Sequence, residues 1–306
     1  MIALLAPGQG SQTPGMLTPW LELPGAKDQV EQWSKASGLD LVRLGTTATA
    51  DEITDTSITQ PLVVALTLLA YDELTKRGHL NAKTTVVAGH SVGEIAAYAI
   101  AGVISADDAV ALAATRGAEM AKACALDPTG MSAVLGGDEA EVLERLEALE
   151  LVPANRNAVG QIVAAGRLTA LEKLAEDPPA KARVRQLATA GAFHTHFMAP
   201  AQEAYAAAAA AILPSEPVTT LLSNFDGSPV TSGLDAMDKL VNQLTSPVRW
   251  DLCTEYFKTA DGGEAVSAVV ELPPSGALSG IAKREMRGVA NHALKTLEDL
   301  DALAEL

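Results

Sequence analysis

The chain has 306 residues, of which 48% are hydrophobic and 20% are charged, and its formal net charge is -16. Such a composition is typical of a globular protein with one or two buried cores. The charge argues against general nucleic-acid binding, which depends on neutralised phosphates. No apolar run approaches the roughly 20 residues that span a bilayer, and the apolar start lacks a basic leader. We expect a cytoplasmic protein without a membrane segment or a nucleic-acid partner.

Short apolar runs alternate with helical stretches along the first part of the chain. "IALLA" (2–6) and "TTVVAG" (84–89) are typical of strands, whereas "TQPLVVALTLLAYDELTKRG" (59–78) and "ADDAVALAATRGAEMAKACA" (106–125) are typical of helices. This alternation predicts an α/β architecture with a mainly parallel sheet. The two cysteines, Cys124 and Cys253, lie far apart without metal-ligand spacing, so we expect reduced thiols and no metal site.

The middle of the chain has a different organisation. Strand-like and helix-like runs alternate there in a block of about sixty residues, the size of a β-α-β-β-α-β unit. We predict that residues 128–190 form a small inserted domain. The large domain is then discontinuous and consists of residues 1–127 and 191–306.

The pentapeptide "GHSVG" (89–93) stands where a β-rich run gives way to helix formers. A turn this tight forces its central residue into an unfavourable backbone conformation and requires small neighbours, which Gly89 and Gly93 supply. The serine hydroxyl then lies at a helix N-terminus, where free N–H groups favour negative charge. The pattern is the G-x-S-x-G nucleophile elbow, and Ser91 is the predicted nucleophile.

A serine nucleophile needs a base, and the chain has five histidines: His79, His90, His194, His196 and His292. His79 follows a predicted helix end, His90 adjoins the nucleophile and should point elsewhere, and His292 lies in a polar terminal region. The motif "GAFHTHF" (191–197) follows the inserted block, where a cleft between domains is expected. Composition does not choose between its two histidines.

Two further features could serve the same site. Main-chain N–H groups of the loop in "LLAPGQGSQ" (4–12) could form an oxyanion hole with the N–H of Val92. The alternative, a phosphate-binding loop, is disfavoured because this segment lacks the glycine spacing and the lysine of such loops. In the helix at 106–125, Arg116 shares a face with Leu112 and Met120. This arginine either clamps a substrate carboxylate, or its stem extends to solvent or pairs with Glu119.

The ordered set "PGQGSQ", "TQP", "GHSVGEIAAYAIAG", "RG-x-x-M", "GQIVAAG", "GAFH" and "SPVRW" resembles the malonyl-CoA:acyl carrier protein transacylases. The resemblance spans nearly the whole chain. It implies an α/β-hydrolase-like large domain with an inserted ferredoxin-like α+β small domain and an active site between them. One departure is "ELPPSGALSG" (271–280), where the family usually has a glycine-proline-glycine turn.

The resemblance also assigns roles to individual residues. It implies Ser91 as nucleophile and His194 as base, with the main-chain carbonyl of Gln243 orienting the base. It implies Arg116 as the partner of the malonyl carboxylate, and Phe193 is similar to the phenylalanine of malonyl-selective members. Gln9 and Val92 are implied as the main-chain donors of the oxyanion hole. Further positions implied for the site are Met120, Asn157 and Gln60.

The implied activity is ping-pong transfer of malonyl from malonyl-CoA to the phosphopantetheine thiol of an acyl carrier protein, in fatty-acid or polyketide synthesis. It needs no cofactor and suits a monomer. Such carriers are acidic, and the basic residues that either form a docking surface for them or are ordinary solvated residues are Lys181, Arg183, Arg185, Arg249, Lys283, Arg284 and Arg287. The alternatives are a hydrolase whose triad acid is Asp107, Asp108 or Asp127, and a non-catalytic carrier-binding module.

Overall fold

Two separate β-sheets organise the protein, and a computed structural model describes them over residues 1–259 and 265–303. The strands in these ranges are β1 Ile2–Ala6, β2 Thr85–Gly89, β3 Thr129–Gly136, β4 Val152–Ala158, β5 Gln161–Arg167, β6 Ala182–Gln186, β7 Thr220–Leu222, β8 Ala268–Glu271 and β9 Ala290–Ala293.

Helices cover these sheets and connect their strands. They are α1 Ala26–Ser37, α2 Leu41–Thr46, α3 Thr56–Lys76, α4 Gly93–Ile100, α5 Ala106–Cys124, α6 Glu139–Ala148, α7 Leu168–Glu176, α8 Ala199–Ala210, α9 Gly233–Asn242, α10 Trp250–Thr259 and α11 Ala277–Glu285. Short 3-10 helices include His196–Met198 and Gln243–Thr245. None of the helices in the described ranges combines the length and hydropathy that crossing a bilayer requires.

The larger sheet is parallel throughout and has the order β7-β2-β1-β8-β9. Both of its faces are buried, because successive residues of β1 enter opposite cores: Leu4 packs in one apolar cluster and Leu5 in the other. This explains why the strands appear in the sequence as continuous apolar runs. The carboxyl ends of β1 and β2 are neighbours, so the loops that follow them meet at one edge.

The smaller sheet is antiparallel, has the order β4-β5-β3-β6, and lies within Thr129–Gln186. With α6 and α7 it forms the β-α-β-β-α-β unit of a ferredoxin-like fold, as the resemblance implied. Main-chain hydrogen bonds from Val248 to Ala154 and from Arg156 to Val248 join this unit to the segment before α10. The exact domain bounds proposed from the sequence stay a prediction, and the large-domain range also includes 260–264 and 304–306, which lie outside the described residues.

The described C-terminal region includes a short strand, β9, at the edge of the parallel sheet. His292, which the sequence places in a polar terminal region, lies half-buried in β9 and is paired with Val270 of β8. The strand "ANHA" is short and mostly polar or small, so its sequence carries little β signal. Its position at the edge of the sheet comes from pairing with β8.

Candidate active site

The nucleophile elbow lies between β2 and α4. Ser91 has a φ of 54°, in the left-handed region that only a tightly packed turn imposes on a residue other than glycine. A Cβ on Gly89 would overlap the main chain of Gly93, and a Cβ on Gly93 would overlap the main chain of Ala6. Strand and helix can therefore pack this closely only because both flanking residues are glycine.

The serine hydroxyl contacts one of the two histidines that the sequence left open. Ser91 Oγ lies 2.7 Å from Nε2 of His194, and Nδ1 of His194 lies 2.9 Å from the main-chain oxygen of Gln243. With Nδ1–H donating to that carbonyl, Nε2 is free to accept the serine proton. His196 is exposed and its ring lies against Phe197 instead.

Carboxylates that could complete a triad are occupied elsewhere. Asp107 accepts a hydrogen bond from the indole of Trp33, and Asp108 pairs with Ser105 at the start of α5. Asp127 forms an ion pair with Arg167. The group that orients His194 is thus a main-chain carbonyl, which fits a dyad rather than a Ser-His-Asp triad.

Arg116 is buried beside the nucleophile with only 1% of its surface exposed. Its Nη1 donates to the side-chain oxygen of Gln60 at 2.8 Å, and its Nη2 donates to the side-chain oxygen of Gln243 at 2.7 Å and lies 3.4 Å from Ser91 Oγ. Its Nε is buried without a hydrogen-bond partner among the described residues. The alternative partner, Glu119, pairs with Lys122.

Burial and the neighbouring arginine both act on the histidine. Burial and, as the second cause, the positive charge of Arg116 together lower the pKa of His194 to about 3. His194 is therefore neutral in the resting protein over the physiological range. A neutral imidazole whose Nε2 faces a hydroxyl is suited to act as a general base.

The other predicted site residues surround this centre at different distances. Val92 is the N-cap of α4, and the loop containing Gln9 lies against the elbow because Gly8 abuts the main chain of His90. Asn157 contacts His90 rather than the serine, at 2.9 Å. Phe193 and Met120 are buried, and the sulfur of Met120 accepts from the amide of Gln60.

Two buried residues of this site were not predicted. Glu94 follows the elbow directly and is fully buried, and its Oε2 accepts a hydrogen bond from the Gln243 side chain. Its Oε1 accepts from the main-chain N–H of Asn224 at 2.7 Å, and Asn224 is also fully buried. A glutamate in the first turn of a helix is ordinary in a sequence, so only the packing of α4 reveals this carboxylate.

The segment that departs from the family pattern is organised by Glu271. Its carboxylate accepts main-chain hydrogen bonds from Gly276, Leu278 and Ser279, at 2.8 to 3.1 Å, and so binds the start of α11. Thr67 of α3 donates to the main-chain oxygen of Pro273. These contacts hold the turn between β8 and α11 to the parallel sheet.

An elbow serine, a neutral histidine and a buried arginine on this α/β scaffold define the class of serine-dependent acyl-transfer proteins. The sequence model of the family "Acyl transferase domain" matches residues 4–297. The chain is 72% identical over 306 residues to the malonyl CoA-acyl carrier protein transacylase of Mycobacterium tuberculosis, covering all of both chains.

Solved structures give the same result. The crystal structure of MCAT from Mycobacterium tuberculosis has a TM-score of 0.96 and 72% identity over 99% of both chains. A malonyl-transacylase in complex with a type II PKS acyl-carrier protein has a TM-score of 0.92 and 27% identity, again over 99% of both chains. The chain belongs to the malonyl CoA-acyl carrier protein transacylase family.

Proposed function

We propose that this protein transfers a malonyl group from malonyl-CoA to the phosphopantetheine thiol of an acyl carrier protein through an ester on Ser91. The reaction serves fatty-acid or polyketide synthesis. The observation that carries the proposal is the position of Arg116, a buried guanidinium 3.4 Å from the nucleophile. A guanidinium in this place selects an acyl group that has a carboxylate of its own.

In the first half-reaction, His194 Nε2 takes the proton of Ser91 Oγ as the oxygen attacks the thioester carbonyl. The main-chain N–H groups of Gln9 and Val92 stabilise the oxyanion of the tetrahedral intermediate. The C–S bond then breaks, and the proton on the imidazolium goes to the coenzyme A sulfur. The product is a malonyl ester of Ser91.

The second half-reaction reverses these roles with a different thiol. The phosphopantetheine thiol of the carrier gives its proton to His194 and attacks the serine ester. The C–O bond of the second tetrahedral intermediate breaks, and Ser91 Oγ recovers the proton. Because both thiols use one site in turn, the kinetics are ping-pong.

Several buried donors support the malonyl pocket in this proposal. The free Nε of Arg116 and its Nη2 can donate side by side to one carboxylate. Phe193 and Met120 are both buried, and Phe193 is similar to the phenylalanine of malonyl-selective family members. The reaction needs no cofactor, since the coenzyme A thioester is the substrate.

Intact-mass measurement tests this function directly. Purified protein mixed briefly with malonyl-CoA should gain one malonyl mass, and a carrier protein bearing phosphopantetheine should remove it. The Ser91→Ala variant should gain nothing, because the attacking oxygen is absent. An adduct that water discharges as fast as it forms would indicate a hydrolase, and no adduct on the native protein would indicate a binding module.

We place carrier docking on the exposed basic residues of β6 and α11. Arg183 of β6 and Gln161 of β5 are both register partners of Leu135 in β3, so the three side chains point to one side of the sheet. Arg284 of α11 reaches the side chain of Gln161. Leu135 is 40% exposed, which puts an apolar spot between two arginines. Arg249 contributes less, since it is paired with Asp251.

Charge reversal of Arg183 and Arg284 to glutamate should raise the KM for the carrier about tenfold. The KM of this variant should no longer rise with salt concentration, because the charges that attract the carrier are gone. Acylation by malonyl-CoA should change less than twofold. The matched control is Lys27→Glu with Lys35→Glu on α1, two exposed lysines with the same change in net charge. Equal effects in the two double variants would show that only net charge matters.

A monomeric state and a cytoplasmic location stay predictions.

A further inference from the structure

The side chain of Gln243 connects the two halves of the proposed site. Its main-chain oxygen receives His194 Nδ1, while its side-chain oxygen accepts from Arg116 Nη2 at 2.7 Å. The two hydrogens of its Nε2 are shared among three acceptors within reach, namely a Glu94 carboxylate oxygen, the Ser91 carbonyl at 3.1 Å and the Asn224 side-chain oxygen at 3.3 Å. One amide therefore contacts the guanidinium, the elbow and a buried carboxylate.

The two ends of an amide have nearly the same shape, so their partners decide which way the group points. Only the present orientation turns an oxygen toward Arg116 and an NH2 toward the carboxylate of Glu94. Reversal would bring an NH2 group against the guanidinium, with donors facing donors. The orientation of Gln243 is thus set jointly by the donors of Arg116 and by the acceptor oxygen of Glu94.

The Glu94 carboxylate cannot rotate away from Gln243, because its other oxygen, Oε1, already accepts a hydrogen bond. Oε1 accepts the main-chain N–H of Asn224, a donor that no side-chain rotation can reverse. Asn224 is itself fixed by a hydrogen bond from its side chain to the main-chain oxygen of Gly89. Both residues are completely buried. Glu94 Oε2 must therefore remain an acceptor for the Gln243 amide.

We infer that Glu94 is a positioning residue that fixes the Gln243 amide, and through it the Arg116 guanidinium, so that the site selects acyl groups bearing a carboxylate. This inference rests on the proposed function. It goes further by assigning the selectivity to a residue that touches neither the substrate carboxylate nor the nucleophile.

The Glu94→Gln variant isolates the acceptor role while keeping the shape. Its amide oxygen must face the Asn224 N–H, so its NH2 meets the NH2 of Gln243, and the repulsion between these donors displaces the Gln243 amide from its place against Arg116. We expect the ratio of Ser91 acylation rates with malonyl-CoA and acetyl-CoA to fall tenfold or more. Acetyl acylation should change less than threefold, because His194 keeps its main-chain partner.

The matched control is Glu271→Gln, which changes another fully buried glutamate that accepts main-chain N–H groups outside the site. Its malonyl-to-acetyl ratio should stay within twofold of the native value. An unchanged ratio in Glu94→Gln would overturn the inference. A raised ratio would also overturn it, since Glu94 would then compete with the substrate carboxylate for Arg116.

A second measurement needs no variant. Burial raises the pKa of Glu94 to about 7, against the hydrogen bonds and the charge of Arg116. The proton must sit on Oε2, since Oε1 faces a donor, and a protonated Glu94 then acts on Gln243 as the glutamine variant does. The other titratable groups that act electrostatically on this carboxylate are Arg116, Tyr98, Tyr205 and Cys253.

In the native protein the ratio of malonyl to acetyl acylation rates should therefore fall at least fivefold from pH 8 to pH 5.5, with a midpoint near 7. The Glu94→Gln variant should lose this pH dependence. A flat native profile would overturn the inference. Failure of the proposed function is separate, because it would appear as the absence of any malonyl adduct on the native protein at pH 8.

Discussion

Replacing Arg116 with alanine is expected to slow malonyl transfer to Ser91 by about a hundredfold to several thousandfold. The malonyl carboxylate would be buried without its partner, which costs roughly 3 to 5 kcal/mol in other buried pairs, and each 1.4 kcal/mol is about tenfold in rate. Acetyl transfer should not fall, because an acetyl group has no charge to pair. Rapid-quench mass measurement with the two thioesters gives both rates.

The effect of Arg116 on His194 also predicts that acetyl transfer does not fall in the Arg116→Ala variant. The charge of Arg116 is one cause of the low pKa of His194, so its removal leaves the base at least as strong. An Arg116→Lys variant is the useful companion, since it keeps the charge but loses the paired donors of the guanidinium. It should fall between the native protein and the alanine variant for malonyl transfer. Equal losses with malonyl-CoA and acetyl-CoA would contradict the role proposed for Arg116.

The elbow and the arginine were accessible from local sequence. Ser91 could be found because a tight strand-to-helix turn needs glycines on both sides, and this requirement appears in five consecutive letters. Arg116 could be singled out because helical spacing places it among apolar residues, and it is indeed buried. The parallel sheet followed from its strands, whose two buried faces leave continuous apolar runs.

The contacts across the site could not be predicted in this way. The pattern left His194 and His196 open, since their difference lies in backbone direction: His194 has a φ of 59° and turns inward, and the next residues start a 3-10 helix. Gln243 is 49 residues from His194 along the chain and 127 from Arg116. Long-range contacts of this kind leave no periodic signal.

Glu94 shows the same limit more sharply. Its position beside the elbow is local, but its burial depends on α4 packing against segments that are far away in sequence, including Asn224. A carboxylate in such a place needs several donors, because an unpaired buried charge is expensive. Its donors include the Asn224 main chain and the Ser223 and Gln243 side chains, and Gln243 links this polar network to His194 through its main-chain carbonyl.

Replacing His194 with alanine is expected to slow acylation of Ser91 by about a thousandfold or more with either thioester, since the loss of a general base next to a serine nucleophile has effects of this order. His196→Ala, two residues away and exposed, should change the rate less than twofold. In the native protein the pKa of His194 is lowered to about 3, so the base stays neutral down to that pH. Since kcat/KM reports the free enzyme, acetyl transfer should show no inflection near 6.5, the usual pKa of histidine. A loss of acetyl transfer centred there, or equal losses in the two alanine variants, would contradict His194 as the buried base.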